Sequence, residues 1–424
     1  MDKPKTRIGL ATFCIVLGIL FSYVMQQAPS PVLLEIQDYY GIVNNDTLLN
    51  LCVSIIYASI VMACLVGAKV EQKIGLKRLF IWTMALMIVG GAMSMLASAY
   101  LVLVVGRFIW GFGFGLGIQF IGSAIMEYYS PVAREKMNTI NGMFPFIGTV
   151  ICFLLMSPLS KAMGGFKPAL AIWVIPMIIA MVIWIVTIND ENMPHWVEEA
   201  ESEEPEFQGS VIKNLWSRKP IRLLCITFVC DFCCYSYVAV IVPTLFFEGT
   251  EMSMDTAGLM AAIAFPLFGL VGSGLGGIIL NRTGLRKSTL VAGQIIKFVG
   301  LTLATLFIAN PVCLVAGICL FGLGNGIWMP AFYCVPMDLE NMTSNLAGAA
   351  FAYMSAFGMA AGFFAPTIGG AITDSLRASF GGNDPLAAHV HGLRWSLFIF
   401  GCMNLISTVC MLIYKETGKR RVKA

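Results

Sequence analysis

Long apolar runs alternate with short polar segments along the whole chain. Twelve of these runs have roughly 19–27 residues each, enough for a helix rising about 1.5 Å per residue to cross a hydrocarbon core of about 30 Å. The predicted membrane helices cover residues 8–34, 48–68, 79–98, 100–126, 138–163, 169–188, 222–247, 255–280, 288–309, 311–337, 345–372 and 394–414. The pattern predicts an all-α membrane protein with twelve transmembrane helices.

Composition agrees with this pattern. Of the 424 residues, 58% are hydrophobic and 12% are charged, whereas a soluble chain carries about 25% charged residues. The first apolar run is longer than the apolar core of a signal peptide, which has about 7–15 residues, so we expect it to be retained as a helix. The 13 cysteines lie almost entirely inside predicted helices, which favours free thiols. The net charge of +3 belongs to the loops, and no basic patch indicates a nucleic-acid partner.

Lysine and arginine are concentrated in alternate loops. The opposite loops, "EIQDYYGIVNNDT" and "EGTEMSMDT", contain neither residue. Basic loops of membrane proteins face the cytoplasm, so both termini are expected there, in a multi-pass protein of the cell (inner) membrane. The basic residues that define this side are Lys3, Lys5, Arg7, Lys73, Lys77, Arg78, Arg134, Lys136, Arg218, Lys219, Arg286, Lys287 and those of the tail "KETGKRRVKA".

The longest polar segment divides the chain into two halves of six helices. It predicts an N-terminal bundle over residues 1–188, a cytoplasmic linker over 189–221 and a C-terminal bundle over 222–424. The linker begins with an acidic, solvated stretch. Its basic end, with Trp216 among lysines and arginines, is typical of a short helix at an anionic membrane surface.

Two short motifs occur once in each half. "AKVEQKIGLKR" (68–78) matches "GIILNRTGLRK" (277–287), and "GFGFG" (111–115) matches "GLGNG" (322–326). Both pairs fall at the same topological place, which indicates a parallel repeat. Transporters built this way bind their substrate between the halves, near the membrane midplane. The matched residues are Gln72 and Asn281, Lys73 and Arg282, Gly75 and Gly284, Lys77 and Arg286, and Glu127 and Asp338.

These motifs resemble those of the major facilitator superfamily over essentially the whole chain. The family's loop between helices two and three reads G-x-L-A-D-R-x-G-R-K, and "AKVEQKIGLK" is similar to it. The family's fourth helix carries R-x-x-x-G-x-G-x-G, which "RFIWGFGFG" (107–115) fits. The resemblance implies a secondary transporter that works by alternating access. The fifth-helix signature of drug/proton antiporters is not met by "NGMFPFIG" (141–148), which disfavours drug efflux.

The resemblance also implies a cytoplasmic latch made by charged residues of the two loops. The family's loop aspartate is replaced by Gln72 and Asn281, and the acid Glu71 lies one position earlier. We therefore expect the latch either to depend on Glu71, Lys73, Arg78 and Arg134 or to be weaker than in the family. The expected gating residues are Glu71, Lys73, Gly75, Arg78, Glu127, Arg134, Arg282, Gly284, Arg286 and Asp338.

Arg107 is the one charge in the apolar stretch 101–126. An arginine at bilayer depth costs at least about 2.5–3.5 kcal/mol, so it should face the bundle interior or a cavity. One interpretation makes it a cationic handle for an anionic substrate or a partner for a coupling carboxylate. The other makes it a packing residue on the seam of Gly111, Gly115 and Gly122. The second half has Ile318 at the matching place, and this asymmetry favours the functional interpretation.

Asp231 is the carboxylate nearest the middle of a predicted helix. An apolar environment favours its protonated form, so Asp231 is expected to couple transport to protons; the alternative is an aspartate held in one state by hydrogen bonds. Lys297 shares a face of helix nine with Gln294, and we expect it to snorkel or to have a structural partner.

Four further polar residues are expected to line a substrate cavity, although each could instead join helices by hydrogen bonds. They are Gln26, Gln119, Asn325 and Trp328. No nucleotide-binding or catalytic motif occurs, and "CDFCC" lacks a second cysteine pair, so we expect no enzyme activity, cofactor or metal.

The sequence therefore predicts a secondary carrier for a small solute, with a preference for a small organic or inorganic anion and with proton coupling. The first alternative is proton-driven efflux of lipophilic cations, in which Asp231 would be the counter-charge of the substrate. The second is a membrane sensor that does not transport. The expected partners are the solute, protons and the lipid bilayer, and the expected state is a monomer.

Overall fold

The computed structural model describes residues 7–42, 46–189, 192–194, 211–250, 252–382 and 384–418. Both extreme termini and most of the acidic part of the predicted linker lie outside these residues. In the described part the regular structure is helical, and twelve helical segments are long and apolar enough to cross a membrane. The twelve predicted spans are therefore confirmed.

The first unit comprises Met1–Met137, Ile147–Ser217 and Glu340–Ala356. The prolines Pro29 and Pro31 end α1 and lead through a 3₁₀ helix (Ser30–Val32) into α2. The sixth span is broken at Trp173 and Val174, before Pro176 in the first turn of α8. The first nine helices in chain order all begin in this unit, and they are α1 (Ile8–Gln27), α2 (Leu33–Tyr40), α3 (Asp46–Ile74), α4 (Leu76–Leu96), α5 (Tyr100–Tyr128), α6 (Pro131–Met163), α7 (Phe166–Ile172), α8 (Ile175–Thr187) and α9 (Val211–Ser217).

The second unit comprises Asn138–Phe146, Arg218–Leu339 and Phe357–Ala424. The last span begins at Pro385 rather than at 394, because the side chain of Asp384 caps the helix by accepting from the Leu386 amide. The helices that begin in this unit are α10 (Lys219–Gly249), α11 (Met254–Thr283), α12 (Arg286–Leu306), α13 (Pro311–Met337) and α15 (Pro385–Ile413). Helix α14 (Ser344–Ala378) begins in the first unit and ends in the second.

Glycines bring the same pairs of helices together in each repeat. In the first unit, a Cβ added to Gly111 on α5 would meet the backbone of Ile56 on α3; in the second, one added to Gly322 on α13 would meet the backbone of Phe265 on α11. Gly111 and Gly322 are the matched first glycines of "GFGFG" and "GLGNG". The repeat seen in the sequence is thus also a repeat of helix crossings.

A second crossing depends on backbone approach between α12 and α13. A Cβ on Gly300 would lie 2.6 Å from the carbonyl oxygen of Gly317 and 2.7 Å from the amide nitrogen of Phe321. Because apolar lipid gives no hydrophobic drive for helix association, such close packing is a main source of cohesion in a membrane bundle.

Gly300→Val is expected to lower the thermal unfolding temperature in detergent. The added side chain meets backbone atoms that cannot move aside, and overpacking of this kind costs about 1–3 kcal/mol. Gly274→Val is the matched control, since a Cβ there meets nothing within 4 Å. Equal unfolding temperatures for the two variants, measured by intrinsic fluorescence, would contradict the proposed close crossing.

Candidate functional site

Arg107 is wholly buried in α5, and each of its guanidinium nitrogens donates to a backbone carbonyl. Nη1 donates to Met25 at 2.8 Å, Nη2 to Gln26 at 2.7 Å and Nε to Cys52 at 3.1 Å. The guanidinium carbon also lies 5.1 Å from the centre of the Trp110 ring. Arg107 therefore joins α1, α3 and α5 within the first unit.

The local sequence explains why these carbonyls need a donor. Met25 and Gln26 lie in the last turn of α1, where helical carbonyls have no amide partner of their own. Pro29 has no N–H, so it cannot supply the bond that residue 29 would normally give to the Met25 carbonyl. A cation at this end also complements the helix dipole. Contacts of this kind, between Arg107 and neighbouring helices, are those that the packing interpretation predicts.

Asp231 and Lys297 form an ion pair inside the second unit. Asp231 lies on α10 and Lys297 on α12, and both side chains are buried. The amide of Gln294 also donates to Oδ1 of Asp231, at 3.4 Å. Lys297 therefore does not snorkel to a membrane surface, and Asp231 has an ionic partner that the sequence did not identify.

Aromatic rings of α13 enclose the other side of the Lys297 ammonium. Its nitrogen lies 5.3 Å from the centre of the Phe321 ring and 5.7 Å from that of Trp328. Trp328 in turn donates through Nε1 to Oδ1 of Asn325, at 3.3 Å. Asn325 and Trp328, which we expected to line a substrate cavity, thus lie beside the ion pair.

The other two predicted cavity residues have partners in the first unit. Gln119 is buried and donates through Nε2 to the Glu71 carboxylate at 2.5 Å, so the structure places it with the predicted gating residues. Gln26 is also buried, and its backbone oxygen is one of the acceptors of Arg107.

Glu71 is the centre of a buried polar cluster at the end of α3. Besides Gln119, it accepts from Ser123 on α5 at 2.7 Å. The same Gln119 amide donates to the backbone oxygen of Asn345 at 3.3 Å, and Gln72 donates to the Asn345 side chain at 3.2 Å. The cluster therefore connects α3 and α5 with the first turn of α14.

A cavity of about 420 Å³ adjoins this cluster. It brings four predicted gating residues together, whereas Lys73 lies exposed in the last turn of α3. Arg134 donates to the carbonyls of Met126 and Tyr129, which stabilises the end of α5. The residues that line the cavity are Glu71, Gln72, Ile74, Gly75, Leu76, Lys77, Arg78, Glu127, Met193 and Asn345.

The second repeat has a different arrangement at its matching loop. Arg286 makes a bidentate pair with Asp338, at 2.7 and 3.2 Å. Gly284 ends α11 with a φ of 69°, a backbone conformation that favours glycine. Arg282 is exposed in the last turn of α11.

The residue that sequence reasoning missed is Glu416, in the basic tail. Its carboxylate accepts from the backbone amides of Arg286 and Lys287, both at 2.9 Å, and so caps α12, whose N-cap residue offers no side-chain bond. Nearby, burial raises the pKa of Tyr414 above its usual range, and its hydroxyl shares a hydrogen bond with that of Thr417. A lone acid among basic residues was the available signal.

Comparison with known proteins decides the family. The model of the Major Facilitator Superfamily matches residues 15–366 and 224–424. The chain belongs to the Major Facilitator Superfamily. It is therefore a multi-pass membrane transporter.

One curated relative of this facilitator chain is similar over part of its length. The "Probable inositol transporter 3" of Arabidopsis thaliana is 25% identical over 181 residues, which are 42% of this chain and 30% of the relative. The matched region thus spans less than a third of that protein.

Solved facilitator structures share the fold at lower identity. The proton:xylose symporter XylE has a TM-score of 0.75 and 16% identity, with 97% of this chain and 96% of that chain covered. The fucose:proton symporter FucP of E. coli has a TM-score of 0.67 and 14% identity, with 93% and 98% covered. The human organic anion transporter MFSD10 has a TM-score of 0.73 and 12% identity, with 96% and 100% covered.

Arg107→Gln and Arg107→Lys are both expected to lower the thermal unfolding temperature of this transporter. One ammonium cannot reproduce a planar fork that reaches three carbonyls, and each buried group left unpaired costs about 1–3 kcal/mol. Arg222→Gln, at an exposed arginine of α10, is the control. If Arg107→Lys keeps wild-type stability but loses affinity for an anion, Arg107 is a substrate handle instead.

Proposed function

We propose that the chain is a secondary active symporter that moves a small polar solute together with a proton by alternating access, and that Asp231 carries the proton. The supporting observation is the place of Asp231. Among the described residues, three carboxylates are buried: Glu71, Glu135 and Asp231. Glu71 and Glu135 lie close to helix ends, whereas Asp231 lies near the middle of the span Lys219–Val242.

A carboxylate in that position has two accessible charge states. As an anion it is neutralised by Lys297; with a proton bound it is a neutral group that can still accept from Gln294. Ionisable groups within membrane helices are costly and are usually functional. Coupled transport requires that the bound proton change the equilibrium between the two conformations of the carrier. A change of charge at Asp231 is one means of doing so.

We propose a neutral, hydroxylated solute as the first substrate class. The named substrates of three similar proteins are inositol, xylose and fucose. The small-anion preference depended on Arg107, whose three nitrogens already donate to carbonyls. It stays a prediction, and the similarity to an organic anion transporter keeps anions in the test.

The efflux alternative has an observation against it. In that hypothesis Asp231 is the counter-charge of a lipophilic cation, but here its cationic partner is Lys297. We retain the expectation that both termini are cytoplasmic, that the cell membrane is the site of action and that the protein works as a monomer.

Gating is proposed to involve the Glu71 cluster. Its hydrogen bonds hold α3 and α5 to the first turn of α14, so that breaking them frees that turn. Glu71 thus takes the place of the family's loop aspartate, which is Gln72 in this chain. The Arg286–Asp338 pair is the proposed counterpart in the second repeat.

The test is solute uptake into proteoliposomes with and without an inward proton gradient. The panel is inositol, xylose, fucose, lactate, phosphate and tetraphenylphosphonium. We expect at least one hydroxylated solute to accumulate only with the gradient, and Asp231→Asn to reduce this accumulation at least tenfold, because the amide cannot bind the proton. Exchange of labelled for unlabelled solute, which needs no net proton movement, should continue at a reduced rate.

Asp374→Asn, at an exposed acid of α14, is the matched control and should accumulate solute like the wild type. Gradient-driven accumulation by Asp231→Asn at the wild-type level would contradict the assignment of Asp231. Accumulation restricted to lactate or phosphate would move the substrate class to anions, and movement restricted to tetraphenylphosphonium would support efflux.

A further inference from the structure

We propose that Lys297 is the second half of the proton site: a positioning residue that keeps Asp231 ionised until a proton arrives and then holds the remaining positive charge on aromatic rings. This inference rests on the proposed function, since it concerns the same proton step. It adds a residue of α12 to that step, together with a specific role for the rings of Phe321 and Trp328.

The surroundings of Lys297 are built to hold an ammonium inside the bundle. The side chain is wholly buried. Gly324 on α13 gives it room, since a Cβ there would lie 2.8 Å from Cγ of Lys297. Gly293 likewise admits Trp328, whose Cβ would be 2.7 Å from an added Cβ. Two glycines thus allow α12 and α13 to approach closely enough for the ring faces to meet the ammonium.

The charges explain why these groups occur together. With Asp231 ionised, the pair has no net charge, which a low-dielectric interior tolerates. When a proton binds to a carboxylate oxygen of Asp231, an O–H bond forms, the ionic contact with Lys297 is lost and the site gains one positive charge. The faces of Phe321 and Trp328 then provide the attraction that remains, because an aromatic face attracts a cation. Release of the proton to the other side restores the ion pair.

The side chains around the Asp231–Lys297 pair are a thiol, an amide and two aromatic rings. Helix α10 contributes the buried thiol of Cys230, the residue before Asp231. Helix α12 contributes the uncharged Gln294, and α13 contributes the two rings. Within the part of the chain that the structure describes, Asp231 is the one carboxylate that pairs with Lys297.

The same change of charge alters how two helices are connected. The Asp231–Lys297 pair links α10 to α12 while Asp231 is ionised, and protonation weakens that link. Proton binding thus acts on helix packing as well as on charge. In a variant with an uncharged side chain at position 297, Asp231 would lack the cation that keeps its carboxylate ionised. Asp231 would then hold its proton throughout the cycle.

The experiment compares Lys297→Gln, Lys297→Arg and the double variant Asp231→Asn/Lys297→Gln in proteoliposomes. Two readouts are taken: gradient-driven accumulation, and solute exchange across a range of pH without a gradient. We expect Lys297→Gln to lose accumulation at least tenfold while exchange continues at a reduced, pH-independent rate. Lys297→Arg should recover at least a third of the accumulation, because it keeps the cation.

The double variant separates coupling from folding, since removing both charges leaves no buried ion unpaired. We expect it to exchange solute but not to accumulate it, like Asp231→Asn alone. Gradient-driven accumulation by the double variant at the wild-type level would show that the pair is only structural and would overturn the inference. This result can be obtained even if Lys297→Gln alone fails to fold.

The two proposals fail in different ways. If wild-type protein accumulates no solute in response to a proton gradient, the proposed symport is wrong. If the wild type accumulates solute, Asp231→Asn does not, and Lys297→Gln accumulates it normally, the symport proposal stands and the role of Lys297 is wrong.

Discussion

A charged side chain inside a hydrocarbon layer has no water to bind, so its partners must come from the protein itself. The chain meets this requirement in two ways. Arg107 donates to backbone carbonyls of α1 and α3, which cannot change their charge. Asp231 and Lys297 neutralise each other, and a carboxylate can be protonated. The first arrangement connects helices through groups of fixed charge; the second is the one that we propose to change its charge during coupled transport.

The internal repeat supplies the scaffold but not the chemistry. The glycine crossings of α3 with α5 and of α11 with α13 recur at matched positions. Two buried ionic groups of the first half do not recur: Ile318 stands where the first half has Arg107, and Leu280 stands where it has Glu71. Helix α12 is capped by Glu416, whereas the N-cap residue of α4, Gly75, has no side chain to offer. Residues that have no equivalent in the other half are therefore the best candidates for a role specific to this transporter.

The sequence predicted the twelve spans because each needs only length and apolarity. It did not predict the break at Trp173 or the start of α15 at Pro385, since these depend on local bonds rather than on apolar windows. For the site, Arg107 and Asp231 were found from their cost in a membrane. Their partners were not, because Met25 and Lys297 are distant in sequence and only helix packing shows which faces meet.

The proposed coupling requires that Asp231 alternate between an ionised and a protonated form. Infrared difference spectroscopy measures this directly, by recording the carboxylic-acid C=O band of purified protein as pH is lowered and raised again. Subtracting the spectra of Asp231→Asn from those of the wild type isolates the contribution of this one side chain. We expect a reversible band in the difference, which appears as pH falls. Identical spectra for the two proteins across the pH range would contradict the proposed protonation of Asp231.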